Sequence, residues 1–124
     1  MSTTGKLSVI RSIDSTEVEN WTTDFVTMEL GAFAASTKGR PPSVTIFYGE
    51  ALEDKFHNLN LDPATGTKLE YVSAEGKTFS ATGTVKVTVS GYQSQQVGEI
   101  DAILTDTDGR NFQLKGTYDG KKPL

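Results

Sequence analysis

The chain has no cysteine among its 124 residues, and it has a single histidine. Without thiols, a disulfide, a zinc–thiolate site and a cysteine nucleophile are all excluded. One histidine rules out a histidine pair and the HExxH zinc motif. The sequence also lacks a Gly-x-Ser-x-Gly elbow, a P-loop and the Gly-x-Gly-x-x-Gly dinucleotide fingerprint. We therefore expect neither a metal nor a cofactor.

Basic clusters and long apolar segments are scarce as well. Twelve Lys and Arg stand against sixteen Asp and Glu, which gives a formal net charge of −4, and the basic cluster is limited to Lys121-Lys122. This balance disfavours nucleic acid and anionic lipid as partners. No apolar run has the length of a membrane span, and residues 1–6 do not lead into the apolar segment of a secretory signal. We expect a soluble cytoplasmic protein, or a secreted one if a leader was removed.

The last third of the chain alternates between apolar and polar residues. Successive side chains of a strand point to opposite faces of a sheet, so the alternation predicts strands with one buried and one solvated face. We expect three consecutive antiparallel strands, a meander. Its predicted inner residues are Phe79, Ala81, Gly83, Val85, Val87 and Val89, then Gly98, Ile100, Ala102 and Leu104, and finally Phe112, Leu114, Gly116 and Tyr118.

These residues share one face only if each hairpin loop has the right parity, that is, an odd or an even number of residues. The second loop must be odd, and Thr107-Asp108-Gly109 fits, with Gly109 in the left-handed conformation. The first must be even, and we place it at Gln93–Gln96, although a two-residue shift would preserve the same faces. The predicted inner rows are Val85–Leu104–Phe112, Val87–Ala102–Leu114 and Val89–Ile100–Gly116, with Asp101 between Thr88 and Lys115 on the outer face.

The patterns before residue 79 are weaker. Residues 21–36 fit a strand bent at Gly31 better than a helix, because of their threonines. Leu52 and Phe56, spaced as i and i+4, make Glu50–Asn58 a candidate short helix. Further strands are predicted over residues 7–13, 44–48 (apolar on both faces) and 69–73, and turns or loops over 14–20, 37–42, 62–66 and 75–77.

These elements together predict an all-β fold. We expect a single-domain antiparallel β-sandwich or small β-barrel of about seven strands that ends in the three-strand meander, with at most one short helix near 50–58. The domain would span residues 1–124, with 1–5 and 120–124 frayed. A chain of this length can bury a core without disulfides.

The meander resembles the last strands of small bacterial β-sandwich and lipocalin-like proteins. The shared residues are Thr-Val-Lys-Val, Gly-Glu-Ile-Asp-Ala, Asp-Gly and Leu-Lys-Gly-Thr-Tyr, which cover about a third of the chain. Any hairpins with the same alternation would share them, so the resemblance identifies no family.

Three polar groups are candidate sites. His57 could act as a general base with the carboxylate of Glu53, one helical turn away, but a solvated loop histidine is the favoured interpretation. Residues 106–109 space acidic groups as a calcium loop does, yet no distal Glu follows, which favours a hairpin turn. Glu99 and Asp101 share the outer face of one strand, which is typical of solubilising residues rather than of a glycosidase pair.

Aromatic and exposed apolar residues are the remaining candidates for ligand or partner contact. Trp21, Tyr48, Tyr71 and Tyr92 could form a binding platform, although large aromatics are more often core residues. Val97 and Ile103 fall on the outer face of the meander, so they are either exposed or covered by another segment.

Three hypotheses about function follow. The favoured one is a non-catalytic β-sandwich module that binds a protein or a glycan through edge strands and loops. The second is a lipocalin-like β-barrel that carries a small apolar ligand. The third is a hydrolase that uses His57 with a nearby carboxylate. The sequence favours neither a monomer nor a homo-oligomer.

Overall fold

A computed structural model describes residues 3–64 and 66–122. The described residues contain no helix and form ten strands. The strands are β1 (Thr4–Ile13), β2 (Thr16–Thr23), β3 (Val26–Glu29), β4 (Ala32–Thr37), β5 (Arg40–Phe47), β6 (Phe56–Leu61), β7 (Lys68–Val72), β8 (Thr78–Ser90), β9 (Gln95–Thr105) and β10 (Asn111–Lys121).

All ten strands belong to one antiparallel sheet that is nearly closed into a barrel. The strand order is β2-β1-β10-β9-β8-β7-β5-β4-β3, and β6 also pairs with β8. The edge strand β3 lies against β1 and β10, which brings the two ends of the sheet together. The predicted all-β class, with a sandwich or small barrel ending in a meander, is confirmed, but the described residues form ten strands rather than about seven. Among the described residues, no helix has the length and apolarity that crossing a membrane requires.

The second hairpin of the meander forms as predicted. Leu104 lies opposite Phe112, Ala102 opposite Leu114, and Lys115 opposite Asp101. The loop is closed by a hydrogen bond from Asp106 N to Arg110 O, and Gly109 has a φ of +82°. Because this turn requires a left-handed residue at its last position, the Asp-Gly sequence and the odd loop length were sufficient to fix the register.

The first hairpin has the predicted parity but a different register. Its four-residue loop is Gly91–Ser94, not Gln93–Gln96, so Val85 lies opposite Ile100 rather than Leu104. The same shift pairs Asp101 with Thr84 instead of Thr88. Three successive loop residues have positive φ. Because the loop lies two residues earlier in the chain than predicted, Gln96 is part of β9 and its side chain is buried in the core. The prediction failed because it left no polar residue on the inner face.

The prediction of a loop over residues 14–20 is wrong. Only Asp14 and Ser15 form the turn, both with positive φ, and β2 starts at Thr16. Residues 21–36 are strands as predicted, but Gly31 lies in a hairpin turn rather than in a bend. Even-numbered residues face the core before this turn and odd-numbered ones after it. β4 therefore buries the side chain of Phe33, while Leu30 is exposed.

Three predictions for the middle of the chain are also corrected. The turn predicted over 37–42 is limited to Lys38 and Gly39, because β5 already begins at Arg40. The short helix considered for 50–58 is absent from these described residues, where a loop leads into β6. Leu52 is buried and Phe56 is exposed, so the two do not share an apolar face. The strand over 44–48 is apolar on both faces as predicted, but only one face is buried, because Phe47 is 50% exposed.

The ends of the described chain are paired with each other. Thr4 and Gly5, predicted to be frayed, lie opposite Lys121 and Gly120. The rest of the predicted frayed segments includes residues 1–2 and 123–124, which lie outside the described residues, as does residue 65 of the predicted turn 62–66.

The inward side chains form one hydrophobic core in which Tyr118 is central. Its ring lies 4.4 Å from that of Phe33, and its hydroxyl is 2.9 Å from the hydroxyl of Tyr48. Tyr48 in turn donates to Gln96 Oε1 at 2.6 Å. Gly98 makes room for the ring, since a Cβ there would lie 2.3 Å from Cζ of Tyr118. Packing and polar pairing are therefore satisfied together in this half of the barrel.

Candidate functional site

The structure does not place His57 in an acid–base pair. His57 lies on β6, half-buried, and its Nε2 is 2.8 Å from the backbone carbonyl oxygen of Glu53. A carbonyl oxygen only accepts, so Nε2 donates the proton in this bond. The ring therefore contacts the main chain of Glu53, and not the carboxylate that the general-base hypothesis requires.

The four aromatic candidates do not form a platform. Tyr48 is in the core near Tyr118, and Tyr92 is 89% exposed in the first hairpin loop. Trp21 and Tyr71 do meet, because Trp21 Nε1 donates to Tyr71 Oη at 2.9 Å. Of the four candidates, only this pair is brought together, and it joins β2, at one edge of the sheet, to β7.

Val97 and Ile103 both lie on the outer face, as the alternation predicted. They are 49% and 38% exposed, but Glu99 and Asp101 stand between them on β9. The two apolar side chains therefore do not form a continuous patch.

Residues 106–109 form the hairpin turn that the sequence favours over a calcium loop. Asp106 accepts hydrogen bonds from the backbone N–H groups of Asp108 and Arg110 and from Arg110 Nε. Burial raises the pKa of Asp106, but these donors outweigh it and hold the pKa below its usual value. Within residues 3–64 and 66–122, no group of three potential ligands surrounds a metal position.

The most unusual group in the structure is Arg11, which sequence reasoning missed. Arg11 shares the inner face of β1 with Leu7 and Val9 and is only 8% exposed. Its Cζ lies 4.6 Å from the ring centre of Phe112 and 5.1 Å from that of Phe79. Two aromatic faces thus hold a guanidinium inside the end of the barrel.

Glu19 neutralises Arg11 on one side. Arg11 Nε donates to Glu19 Oε1 at 3.1 Å. Glu19 also accepts from the hydroxyl of Tyr71 and from the N–H of Ala74. Burial first, and then the hydrogen bond to Glu19, raise the pKa of Tyr71 well above its ordinary value, so the hydroxyl remains a donor. The β2 and β7 strands are therefore tied together around this carboxylate.

A cavity of about 300 Å³ opens beside Arg11. The turn between β7 and β8 contributes Ser73, Glu75 and Lys77, and the turn between β9 and β10 contributes Arg110. The rings of Phe79 and Phe112 form its apolar wall. We call this cavity, with these seven residues including Arg11, the Arg11 pocket.

The two Nη groups of Arg11 donate to no protein partner within residues 3–64 and 66–122, although the side chain is largely buried. In the described residues, only Nε of this side chain has a hydrogen-bond partner. No buried side-chain nitrogen or oxygen in that part of the chain lacks a partner, so the Nη groups are not sealed from solvent. Arg11 is also one of the residues that line the cavity.

Arg110 and Lys77 add two more cations at the mouth of the Arg11 pocket. Arg110 is exposed, its Nε donates to Asp106 Oδ2 at 3.0 Å, and its Cζ lies 5.8 Å from the ring centre of Phe112. Lys77 and Glu75 are exposed on the opposite turn. Chemically, the arrangement offers several N–H donors above an aromatic wall, with one carboxylate at the rim.

Comparison of the chain with protein-family models, with curated proteins and with solved structures gave no significant match.

Proposed function

We propose that the protein is a non-catalytic binding module that holds its ligand in the Arg11 pocket. The observation that carries the proposal is a buried arginine that lines an open cavity and whose Nη donors have no protein partner among the described residues. The ligand is either a small molecule or a group presented by a protein or glycan partner.

Stability alone gives little reason to keep Arg11 inside the barrel. Removing a charged pair from water is expensive, and replacing a buried ion pair by apolar residues of similar volume is often neutral or stabilising, by about 1–4 kcal/mol. A core built with apolar residues at both position 11 and position 19 would therefore hold at least as well. A buried arginine with free donors at a cavity is instead what recognition of a charged or polar group requires.

Two other functions have less support. A carrier of an apolar ligand needs an enclosed internal cavity, whereas the inner face of this barrel is filled by the core around Tyr118 and Leu114. A hydrolase based on His57 needs a carboxylate beside the ring, and the ring is hydrogen-bonded to a backbone carbonyl.

A fragment screen by ¹H–¹⁵N NMR tests the proposal without assuming the ligand. A library of neutral, cationic and anionic fragments should shift the amide signals of Ala74, Gly76 and Gly109 and the Nε signal of Arg11. Fragment-induced shifts confined to the outer face, around Asp101 and Lys115, would refute the placement of the binding site. The same holds if no fragment of any class shifts the signals at the Arg11 pocket.

A further inference from the structure

We infer that the Arg11 pocket recognises a carboxylate. This inference rests on the proposed function and adds the chemical class of the ligand. It follows from which edge of the guanidinium is free, from what holds the guanidinium in place, and from the charges around it.

The free edge of Arg11 is the one formed by Nη1 and Nη2. Glu19 occupies Nε, so a ligand meets the end of the fork, where one N–H of each Nη points forward. Two parallel donors of this kind match the two oxygens of a carboxylate. A neutral amide offers one acceptor and one donor, and its NH₂ group would oppose the second Nη.

The fork is held in place before a ligand arrives. The rings of Phe79 and Phe112 lie within 5.1 Å of Cζ, and the Nε bond to Glu19 fixes the direction of the plane. A long side chain that is already ordered loses little conformational entropy when it binds. The geometry therefore favours bidentate contact over a loose electrostatic one.

The charges around the pocket favour a monoanion. Arg11, Lys77 and Arg110 are cationic, and Glu19, Glu75 and Asp106 are their acidic neighbours, so the formal charges cancel. Recognition then depends on directed hydrogen bonds rather than on a strong positive field. A phosphate dianion needs more uncompensated positive charge than this, whereas a carboxylate needs only the fork and a nearby cation.

The size of the pocket limits the ligand. A cavity of about 300 Å³ has the liquid volume of about ten water molecules, which suits a small organic acid or one acidic side chain. The wall of Phe79 and Phe112 offers apolar contact to the part of the acid that carries the carboxylate.

The test compares three probes at constant ionic strength: acetate, its neutral isostere acetamide, and inorganic phosphate. NMR titrations follow Arg11 Nε–H and the amide of Ala74 in the full chain. We expect acetate to shift both signals saturably, acetamide to shift neither, and phosphate to bind more weakly than acetate.

Two variants with exposed side chains probe the charges without disturbing the core. Lys77→Gln should weaken acetate binding about fivefold, the effect of losing a partly solvated charge contact of about 1 kcal/mol. Glu75→Gln should strengthen it, because a carboxylate at the rim repels the probe. Lys115→Gln makes the same change of charge on the outer face and should leave acetate affinity unchanged.

The contradicting results separate the two proposals. Acetamide binding at the pocket as tightly as acetate, or phosphate binding more tightly, would overturn the carboxylate inference while preserving a binding site there. Acetate shifts that respond equally to Lys77→Gln and Lys115→Gln would also overturn it. If no probe and no library fragment reaches the pocket, the proposed function fails together with the inference.

Discussion

Replacing Arg11 by Met removes the buried charge and keeps most of the side-chain volume. The pair it breaks is largely shielded, with side-chain exposures of 10% for Arg11 and 12% for Glu19 and a separation of 3.1 Å. Removing one partner of a buried pair costs about 3–5 kcal/mol when the other charge is left uncompensated. Glu19 keeps its hydrogen bonds from Tyr71 and Ala74, so we expect the lower end, about 3 kcal/mol.

The reciprocal change, Glu19→Gln, should cost less. An amide oxygen can still accept one of the remaining hydrogen bonds, and the expected loss is about 2 kcal/mol. In the double variant Arg11→Met/Glu19→Gln, neither charge is left without its partner. We therefore expect its destabilisation to be smaller than the sum of the two single effects by about 2 kcal/mol, within the range seen for residues in contact.

Urea unfolding at neutral pH measures all three variants. Trp21 is the only tryptophan, and its Nε1 donates to Tyr71, so its fluorescence reports this end of the barrel. Lys115→Met, on the outer face, serves as the matched control and should change stability by less than about 0.5 kcal/mol. Additive effects of Arg11→Met and Glu19→Gln, or an Arg11→Met effect as small as that control, would refute the view that a shielded pair holds Arg11.

Three further predictions concern the rest of the fold. Gly98→Ala should destabilise by about 1–3 kcal/mol in urea melts, because a Cβ would overlap the ring of Tyr118 at 2.3 Å. The pKa of Asp106 is lowered in the fold, so its stabilisation is present above its unfolded value of 3.8 and lost as the pH falls further. In the Asp106→Asn variant, the free energy of unfolding should therefore fall less steeply as the pH is lowered. An unchanged pH dependence in the acid range would contradict this. Burial raises the pKa of Tyr48, Tyr71 and Tyr118 above 10.0, so stability should fall as the pH rises above 10.0, and tyrosinate absorbance of these residues should appear only with unfolding.

The sequence predicted the strands of the meander because the alternation of side chains has a period of two, which only an extended chain satisfies. The register of the second hairpin was also predictable, since Asp108-Gly109 marks its turn and the parity leaves one loop length. Local chemistry was sufficient there, and the pairing of Leu104 with Phe112 follows from it.

The register of the first hairpin was not predictable from alternation. Moving the loop by two residues leaves every valine on the same face, so the pattern cannot distinguish the two arrangements. The observed one is stabilised by contacts from far away in the chain: Tyr48 hydrogen-bonds Gln96, and Tyr118 packs on Gly98. No local signal in residues 90–96 contains this information.

The Arg11 pocket was missed for a related reason. The alternation in β1 places Arg11 on the same face as the apolar residues Leu7 and Val9. A cation on the buried face of a strand was therefore the available signal. Its partner Glu19 lies in a segment assigned to a loop, and the rings of Phe79 and Phe112 come from two other strands. The assembled sheet brings them together, with Glu19 directly opposite Arg11 in the β1–β2 pair and β10 on the other side of β1.

The guanidinium of Arg11 gives the most direct measurement of the binding claim. The chain has three arginines, Arg11, Arg40 and Arg110, so their side-chain ¹⁵N signals can be assigned individually. On saturation with acetate, the Nη signals of Arg11 should shift and separate as bidentate contact slows rotation about the Nε–Cζ bond, while those of Arg40 remain unchanged. Nη signals of Arg11 that do not respond, or that respond no more than those of Arg40, would contradict the claim that this pocket binds a carboxylate.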